Sequence, residues 1–129
     1  MKHRFMVLED DDIFMELNEK VINRSGFAED LKSFDYVQKG VDYLNQLINE
    51  NKPMPDIILL DLRMPVMNGF EFLEKLKTMP QDKLQNLKIH LLTSSLDEND
   101  ISKAYSYPYV KGFHSKPLSL KKLQEMVKA

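Results

Sequence analysis

Short, largely apolar runs recur along the chain. Residues 57–60 read Ile-Ile-Leu-Leu, which is typical of a strand covered on both faces, as in a parallel sheet flanked by helices. Comparable runs occupy residues 5–8, 89–92 and 109–113, and a weaker strand is predicted near residues 29–34. The pattern therefore predicts five strands.

Helical periodicity fills the intervals between these runs. The residues predicted to face inward are, in chain order, Ile13, Leu17 and Val21; Val37, Val41, Leu44 and Ile48; Phe72, Leu73 and Leu76; Ile101 and Ala104; and Leu120, Leu123 and Val127. We expect the first helix to end near Gly26 and the third to begin at Gly69 and break at Pro80. The fourth, over residues 97–105, is more polar, and Ser119 is placed to cap the fifth.

Strands that alternate with helices predict an α/β domain in which helices cover both faces of a parallel sheet. The carboxyl ends of parallel strands lie at one edge of the sheet, where ligands bind in open α/β folds. At 129 residues the chain is long enough to bury a proper core. We expect residues 1–129 to form a single domain that leaves no room for an effector.

Polar side chains follow four of the predicted strands. Glu9 and Asp10 follow the first strand, Asp61 the third, Thr93 the fourth and Lys116 the fifth. Taken singly each has an ordinary structural explanation, since aspartate is common in turns. Together they indicate a site that combines carboxylates, a hydroxyl group and an ammonium group.

Composition excludes several classes of function. The 18 basic and 20 acidic residues give a formal charge of −2, which does not favour nucleic-acid binding. The absence of cysteine excludes disulfides, a thiolate nucleophile and a thiolate zinc site. Because no apolar stretch has the length of a signal-peptide core or a membrane span, we expect a cytoplasmic protein that does not enter a membrane.

The set of residues resembles the receiver domain of two-component response regulators, over essentially the whole chain. The acidic pair Glu9-Asp10, then Asp61, Thr93 and Lys116 followed by proline, occur in the order of that family. The resemblance implies a flavodoxin-like (βα)5 three-layer sandwich with a five-stranded parallel sheet of order 2-1-3-4-5. It also implies that Asp61 accepts a phosphoryl group as an aspartyl phosphate.

A Mg²⁺ site is part of this resemblance. Asp10 and Asp61 are the expected direct ligands, Glu9 is expected to act through water, and the backbone carbonyl of Arg63 is the third protein ligand. Glutamate stands at position 9, where the family more often has aspartate. Mg²⁺ suits clustered carboxylates because it prefers oxygen ligands and neutralises their repulsion.

The family also implies roles for the remaining residues. Thr93 and Lys116 are expected to contact the phosphoryl oxygens, and Phe113 is the aromatic residue that turns inward with Thr93 in the switch. The peptide bond after Lys116 is expected to be cis. Arg63 and Ser95 occupy the two positions that tune the lifetime of the phosphoryl group.

Other polar and aromatic residues receive structural interpretations. Asp11 and Asp12 are predicted to cap the first helix. The three histidines, His3, His90 and His114, show no ligand spacing, so a metal role is not expected. The tyrosines at positions 105, 107 and 109 fit either local packing or a partner surface.

These implications predict a stand-alone phosphorylation switch, not an enzyme beyond self-catalysed phosphoryl transfer and autodephosphorylation. A sensor histidine kinase or a histidine phosphotransfer protein is the expected donor. An unidentified downstream protein is expected to bind the face of the fourth helix, fifth strand and fifth helix. Direct contact with nucleic acid or membrane is not expected, and phosphorylation-dependent dimerisation is left open.

Three alternatives stay open at this level. A phosphohydrolase of the haloacid-dehalogenase type carries a second aspartate two residues after its nucleophile, where this chain has Arg63. A phosphorylation-independent interaction domain would keep the fold without the switch. The chain would also match the front end of a longer DNA-binding regulator.

Overall fold

The computed structural model describes residues 2–94 and 97–129. The strands are β1 (His3–Leu8), β2 (Ala28–Phe34), β3 (Ile57–Leu60), β4 (Lys88–Thr93) and β5 (Val110–Ser115). The helices are α1 (Asp12–Ser25), α2 (Val37–Asn49), α3 (Gly69–Leu76), α4 (Glu98–Tyr105) and α5 (Leu120–Lys128), with a 3₁₀ turn at Gln81–Leu84. Every predicted element is present, with boundaries shifted by at most two residues at the strand ends.

The strands form one parallel sheet of order β2-β1-β3-β4-β5. The predicted fold class and strand order are therefore confirmed. β3 lies at the centre, so its carboxyl end has a neighbouring strand on each side. β5 lies at an edge of the sheet.

Two cores cover the faces of the sheet, and β3 contributes to both. Ile58 and Leu60 lie in the larger core, with α2, α3 and α4, whereas Ile57 and Leu59 lie in the smaller core, with α1 and α5. All four side chains are at most 1% exposed. Alternation of side chains across a strand places every second residue on each face, which explains why the run is apolar at every position.

The predicted inner face of α1 is wrong by one position. Ile13 is 77% exposed, Leu17 and Val21 are only half-buried, and Asn18 and Ile22 are the buried residues of the helix. Adjacent positions in a helix differ by about 100°, so a shift of one residue turns a different stripe toward the sheet. The helix offers apolar residues in both stripes, and packing against the smaller core decides between them.

The last helix departs from its prediction in a similar way. Leu120, expected to face inward, is 49% exposed, while Leu123 and Met126 are buried. Leu120 is the first residue of α5, and Leu118, just before the helix, is buried in the smaller core in its place. Ser119 is the predicted cap, and its Oγ accepts a hydrogen bond from the Lys122 N–H at 3.2 Å.

The other helices follow their predicted patterns closely. The predicted residues that are buried are Val37, Val41, Leu44, Phe72, Leu73, Leu76 and Ala104. Ile48 and Ile101 are half-buried, and Leu47 is the buried residue at the end of α2. No helix in the described part of the chain is long and apolar enough to cross a membrane.

The ends of the helices agree with the polar residues found in the sequence. Asp11 is the N-cap of α1, and its carboxylate accepts hydrogen bonds from the N–H groups of Ile13 and Phe14. Gly26 ends that helix with a φ of 80°, which only glycine adopts without strain. These caps fix where α1 begins and ends relative to the site at the end of β1.

Two of the three clustered tyrosines are packing residues. Tyr107 and Tyr109 are buried, and their hydroxyl groups donate to Glu74 Oε2 at 2.5 Å and to Gln81 Oε1. Tyr105 is 50% exposed. The packing interpretation is therefore confirmed for two of them, and only Tyr105 is available to a partner.

Candidate functional site

Four of the predicted site residues lie at the carboxyl ends of strands. Glu9 follows β1, Asp61 follows β3, Lys116 follows β5, and Thr93 is the last residue of β4. The backbone N–H groups of Glu9, Asp61 and Lys116 donate to carbonyl groups of adjacent strands at 2.9–3.1 Å. The sheet thus extends one residue into the site and fixes the backbone from which these side chains project.

Lys116 joins two strand ends through its ammonium group. Its Nζ lies 2.7 Å from Glu9 Oε1 and 2.9 Å from Asp61 Oδ2, and all three side chains are at most 7% exposed. Burial by itself would lower the pKa of Lys116, but the hydrogen bonds to the two carboxylates outweigh it and raise that pKa above its ordinary value. The group is therefore a permanent positive charge beside Asp61.

The pKa of the Glu9 carboxyl group is strongly shifted. The pKa of Glu9 is raised from 4.5 to about 7, chiefly by burial and to a smaller extent by the charge of Asp61. Hydrogen bonds from Lys116 and from the Asp11 N–H, at 3.1 Å, act in the opposite direction. Ionising both buried carboxylates beside a single ammonium group would leave an excess of negative charge, which a bound cation would neutralise.

A third carboxylate completes this acidic group. Glu9, Asp10 and Asp61 each place one oxygen so that the three atoms lie within 4.8 Å of one another, and Asp10 is exposed to solvent. Oxygen ligands at this spacing fit a small divalent ion such as Mg²⁺, which keeps several water molecules and takes few carboxylates. The donor set therefore fits the predicted metal.

Arg63 holds Asp61 with its backbone and reaches elsewhere with its side chain. The Arg63 N–H donates to Asp61 Oδ1 at 3.1 Å. Its guanidinium Nη2 pairs with Asp100 Oδ2, in the first turn of α4, at 2.6 Å. The loop after β3 is thereby tied to α4 by an ion pair.

The two predicted switch residues lie on adjacent strands. Thr93 is fully buried, and Phe113 is half-buried against the larger core. The strand register pairs Leu91 with Phe113, two residues before Thr93. The Lys116–Pro117 bond is cis, as predicted, and Ser95 lies outside the described residues.

Several contacts of the site could not be predicted from the sequence. The Lys116 Nζ lies 4.6 Å from the centre of the Phe14 ring, a cation–π contact made from α1. Asp100, the partner of Arg63, stands 37 residues away from it in the chain. No local pattern indicates such pairs, because they depend on how α1 and α4 pack on the sheet.

Two histidines that look scattered in the sequence form a pair. His90 Nδ1 and His114 Nε2 lie 3.2 Å apart on neighbouring strands, and His90 is 1% exposed. Burial, with smaller effects from His114 and Lys88, lowers the pKa of His90 to about 4. His90 is a neutral strand residue near neutral pH, which matches the structural interpretation of its sequence position.

The site can support nucleophilic chemistry on an anionic group. A carboxylate becomes an effective nucleophile toward phosphorus when neighbouring charges offset the negative charge of the incoming group. Here Asp61 lies beside an ammonium group and within a group of carboxylates that suits a divalent cation.

Comparison with known proteins identifies relatives over most of the chain. A family model described as the response regulator receiver domain matches residues 5–128. The response regulator Rcp1 of Synechocystis is 33% identical over 110 residues, which cover 85% of this chain and 66% of that protein. The phosphate regulon regulatory protein PhoB of Escherichia coli is 30% identical over 129 residues, 100% of this chain but only 52% of PhoB.

Solved structures give the same result. A two-component response regulator from Cytophaga hutchinsonii superposes with a TM-score of 0.90 at 30% identity, covering 99% of this chain and 96% of that one. The Mn²⁺-bound form of Rcp1 superposes with a TM-score of 0.75 at 29% identity, over 98% of this chain and 89% of that one. The site described above lies within the matched residues.

Proposed function

Because the chain belongs to the response regulator receiver domain family, we propose that it is a phosphorylation switch whose acceptor is Asp61. The observation that carries the proposal is the position of the Lys116 ammonium, 2.9 Å from Asp61 Oδ2, beside three clustered carboxylates. The family is a signalling module and not a conventional enzyme, which disfavours the phosphohydrolase alternative.

We assign the metal site to the carboxylates of Glu9, Asp10 and Asp61 and the backbone carbonyl of Arg63. A bound Mg²⁺ would offset the negative charge of the acidic group and of a phosphoryl oxygen. The close approach of three carboxylate oxygens supports this assignment, and the Mn²⁺-bound form of Rcp1 is consistent with it.

In the proposed reaction an Asp61 carboxylate oxygen attacks the phosphorus of a phosphohistidine. The new P–O bond forms as the P–N bond breaks, and the imidazole retains the electron pair of that bond and is protonated by solvent. Lys116 donates to a phosphoryl oxygen and stabilises the charge spread over the equatorial oxygens. The Arg63 N–H keeps the Asp61 carboxylate oriented.

The switch would be read through Thr93 and Phe113. We propose that Thr93 moves toward the phosphoryl group and that Phe113 turns inward, which shifts the population toward a state with a different α4-β5-α5 face. A modification changes such an equilibrium only as far as it interacts differently with the two states. Hydrolysis of the aspartyl phosphate would return the protein to its initial state.

The partners we propose are a sensor histidine kinase or histidine phosphotransfer protein and a separate downstream protein. Tyr105, exposed at the end of α4, is a candidate contact for the latter. The prediction that residues 1–129 act as a lone domain in the cytoplasm stays a prediction, since PhoB extends well beyond the matched region.

The test is the intact mass of the protein after incubation with acetyl phosphate, with and without Mg²⁺. We expect one added phosphoryl group that requires Mg²⁺ and is lost in Asp61→Asn. Asp12→Asn, which removes an exposed carboxylate outside the acidic group, is the matched control and should be phosphorylated like the wild type. No addition to folded wild type, together with no Mg²⁺ binding, would favour the phosphorylation-independent interaction domain.

A further inference from the structure

Lys122 contacts the short segment that carries Lys116. This segment, residues 116–119, joins β5 to α5, and among the described residues only its Lys116 N–H bonds to a neighbouring strand. The Lys122 Nζ donates to the carbonyl oxygen of Ser115 at 2.7 Å and to that of Pro117 at 3.0 Å. These carbonyl groups belong to the residues immediately before and after Lys116.

An ammonium group suits this double contact. Lysine has three donor protons and no acceptor, so one side chain can satisfy two carbonyl oxygens at once. A longer contact of 3.5 Å reaches the Ser115 Oγ. Since β5 is an edge strand, carbonyl groups on its outer side lack a neighbouring strand and need such donors or water.

The position of Lys122 is itself fixed. Its backbone N–H donates to the Oγ of Ser119, the N-cap of α5, at 3.2 Å. The next residue, Leu123, is fully buried in the smaller core. The first turn of α5 thus provides a rigid base from which Lys122 holds the preceding segment.

We propose that Lys122 is a positioning residue, which fixes the backbone on both sides of Lys116 and so holds the Lys116 ammonium against Asp61. The inference rests on the proposed role of Asp61 as phosphoryl acceptor. Lys122 does not contact Asp61 or Glu9 itself; it acts through the main chain of residues 115–117. A side chain that stabilises the charge of a reacting group must be held within a fraction of an ångström of its productive position, and contacts with neighbouring residues provide that precision.

The first measurement follows Lys116 directly in the unphosphorylated protein. In ¹⁵N-correlated NMR of lysine ammonium groups, the Lys116 signal is identified by its loss in Lys116→Arg. We expect its protons to exchange with water faster in Lys122→Met than in the wild type. Lys122→Arg should restore slow exchange, and Lys121→Met, an exposed lysine of the same helical turn, should leave it unchanged.

The second measurement is the rate of phosphorylation by acetyl phosphate with Mg²⁺ as a function of donor concentration. Lys122→Met should lower the limiting rate about tenfold with little change in the half-saturating donor concentration. A merely stabilising contact would lower the thermal midpoint but leave the limiting rate of the folded protein unchanged. Should Lys122→Met fail to fold, Lys122→Gln replaces it in both measurements.

The two measurements separate this inference from the proposed function. If the wild type takes up no phosphoryl group, the proposed function fails, while the NMR comparison still decides whether Lys122 positions Lys116. Unchanged exchange of the Lys116 protons in Lys122→Met would overturn the inference. An equal loss of phosphorylation rate in Lys121→Met would also overturn it, since the effect would then be one of surface charge.

Discussion

Arg63 and Asp100 connect the loop after β3 to the first turn of α4 through an ion pair of 2.6 Å. The Arg63 side chain is 61% exposed, and exposed pairs of this kind contribute only about 0–1 kcal/mol to stability. The importance of the pair is its position. Arg63 stands two residues after Asp61, the proposed acceptor, and Asp100 belongs to α4, a helix of the proposed output face.

Removing the carboxylate of Asp100 should change the lifetime of the phosphorylated state. In Asp100→Asn the Arg63 guanidinium loses its charged partner and becomes available to a phosphoryl group on Asp61, as guanidinium groups bind phosphate oxygens readily. We expect slower hydrolysis of the aspartyl phosphate, by about two- to fivefold, a gain on the order of a single exposed ion pair. The measurement is the decay of the phosphorylated mass after the donor is removed.

Glu98→Gln is the matched control for this experiment. Glu98 is an exposed acidic residue in the same turn of α4, so its replacement makes the same change in charge near the helix N-terminus. We expect wild-type decay in Glu98→Gln. Equal decay in the wild type and Asp100→Asn would show that the ion pair does not restrain Arg63.

Replacing Lys116 by methionine should destabilise the protein in a manner that Mg²⁺ reverses. The substitution leaves Glu9 and Asp61 buried without their ammonium partner, and loss of one member of a buried pair costs about 3–5 kcal/mol. A divalent ion in the acidic group would replace the lost charge. The rise in thermal midpoint on adding Mg²⁺ should therefore be larger in Lys116→Met than in the wild type.

Lys121→Met serves as the control, because it removes an exposed lysine from the same region. Its midpoint and its response to Mg²⁺ should match those of the wild type. A destabilised Lys116→Met protein that Mg²⁺ fails to stabilise would place the metal outside the acidic group.

Gly69 should be intolerant of a side chain. A Cβ at this position would lie 2.7 Å from the carbonyl oxygen of Asp61 and 2.9 Å from the Leu62 Cα, and backbone atoms do not yield easily. We expect Gly69→Ala to lower the free energy of unfolding by about 1–3 kcal/mol and to slow phosphorylation of Asp61. Chemical denaturation and the intact-mass assay measure the two effects.

Gly40→Ala provides the comparison for that variant. Its added Cβ would approach the Met6 Cε at 2.7 Å and the Leu8 Cδ2 at 2.8 Å, which are the ends of flexible side chains and not backbone atoms of the site. Stability should change without a change in the phosphorylation rate of the folded protein. If Gly69→Ala behaves in the same way, the close approach of α3 to the Asp61 backbone does not control the site.

The buried His90 should contribute less to stability in mild acid than at neutral pH. Its pKa is lowered from 6.5 to about 4 in the folded state, so between these values the unfolded chain takes up a proton that the folded chain does not. The contribution of His90 to stability is therefore complete above about pH 6.5 and declines by up to about 3 kcal/mol as the pH falls toward 4, while the raised pKa of Glu9 acts in the opposite direction over the same range. The free energy of unfolding, obtained by urea denaturation in steps between pH 7.5 and pH 4, is the measurement.

His90→Leu should become more stable relative to the wild type as the pH falls from 6.5 toward 4. His3→Gln, which changes a half-buried histidine of β1, is the control and should retain the wild-type slope. The same slope in His90→Leu and the wild type would assign the acid sensitivity to other groups.

The strands could be predicted well because their signal is local. A run such as Ile57–Leu60 is apolar at each position only where both faces of a strand are covered, and all four residues are indeed buried. The site residues could be predicted for a related reason: parallel strands bring their carboxyl ends to one edge. The sequence positions of Glu9, Asp61 and Lys116 therefore predict that these residues lie together, and Lys116 does contact both carboxylates.

The orientation of α1 shows what this reasoning misses. Its helical period predicts an amphipathic helix correctly, yet two neighbouring stripes contain apolar residues. Ile13 is exposed and Leu17 and Val21 are half-buried, with Val21 against the smaller core, whereas the fully buried residues are Asn18 and Ile22. Periodicity gives the spacing of the buried residues but not the rotation of the helix about its own axis when both stripes are acceptable. That rotation is decided by the shape of the smaller core.

The sequence by itself determined the fold class, the order of the elements and the residues that converge at the sheet edge, since hydrophobic period and strand polarity are local properties. Only the tertiary structure decided which side chains Lys116 and Arg63 contact. It also brought His90 to His114 and Lys122 to the carbonyl groups around Lys116. Such contacts join distant parts of the chain, and their distances depend on how helices and strands pack, which no local pattern encodes.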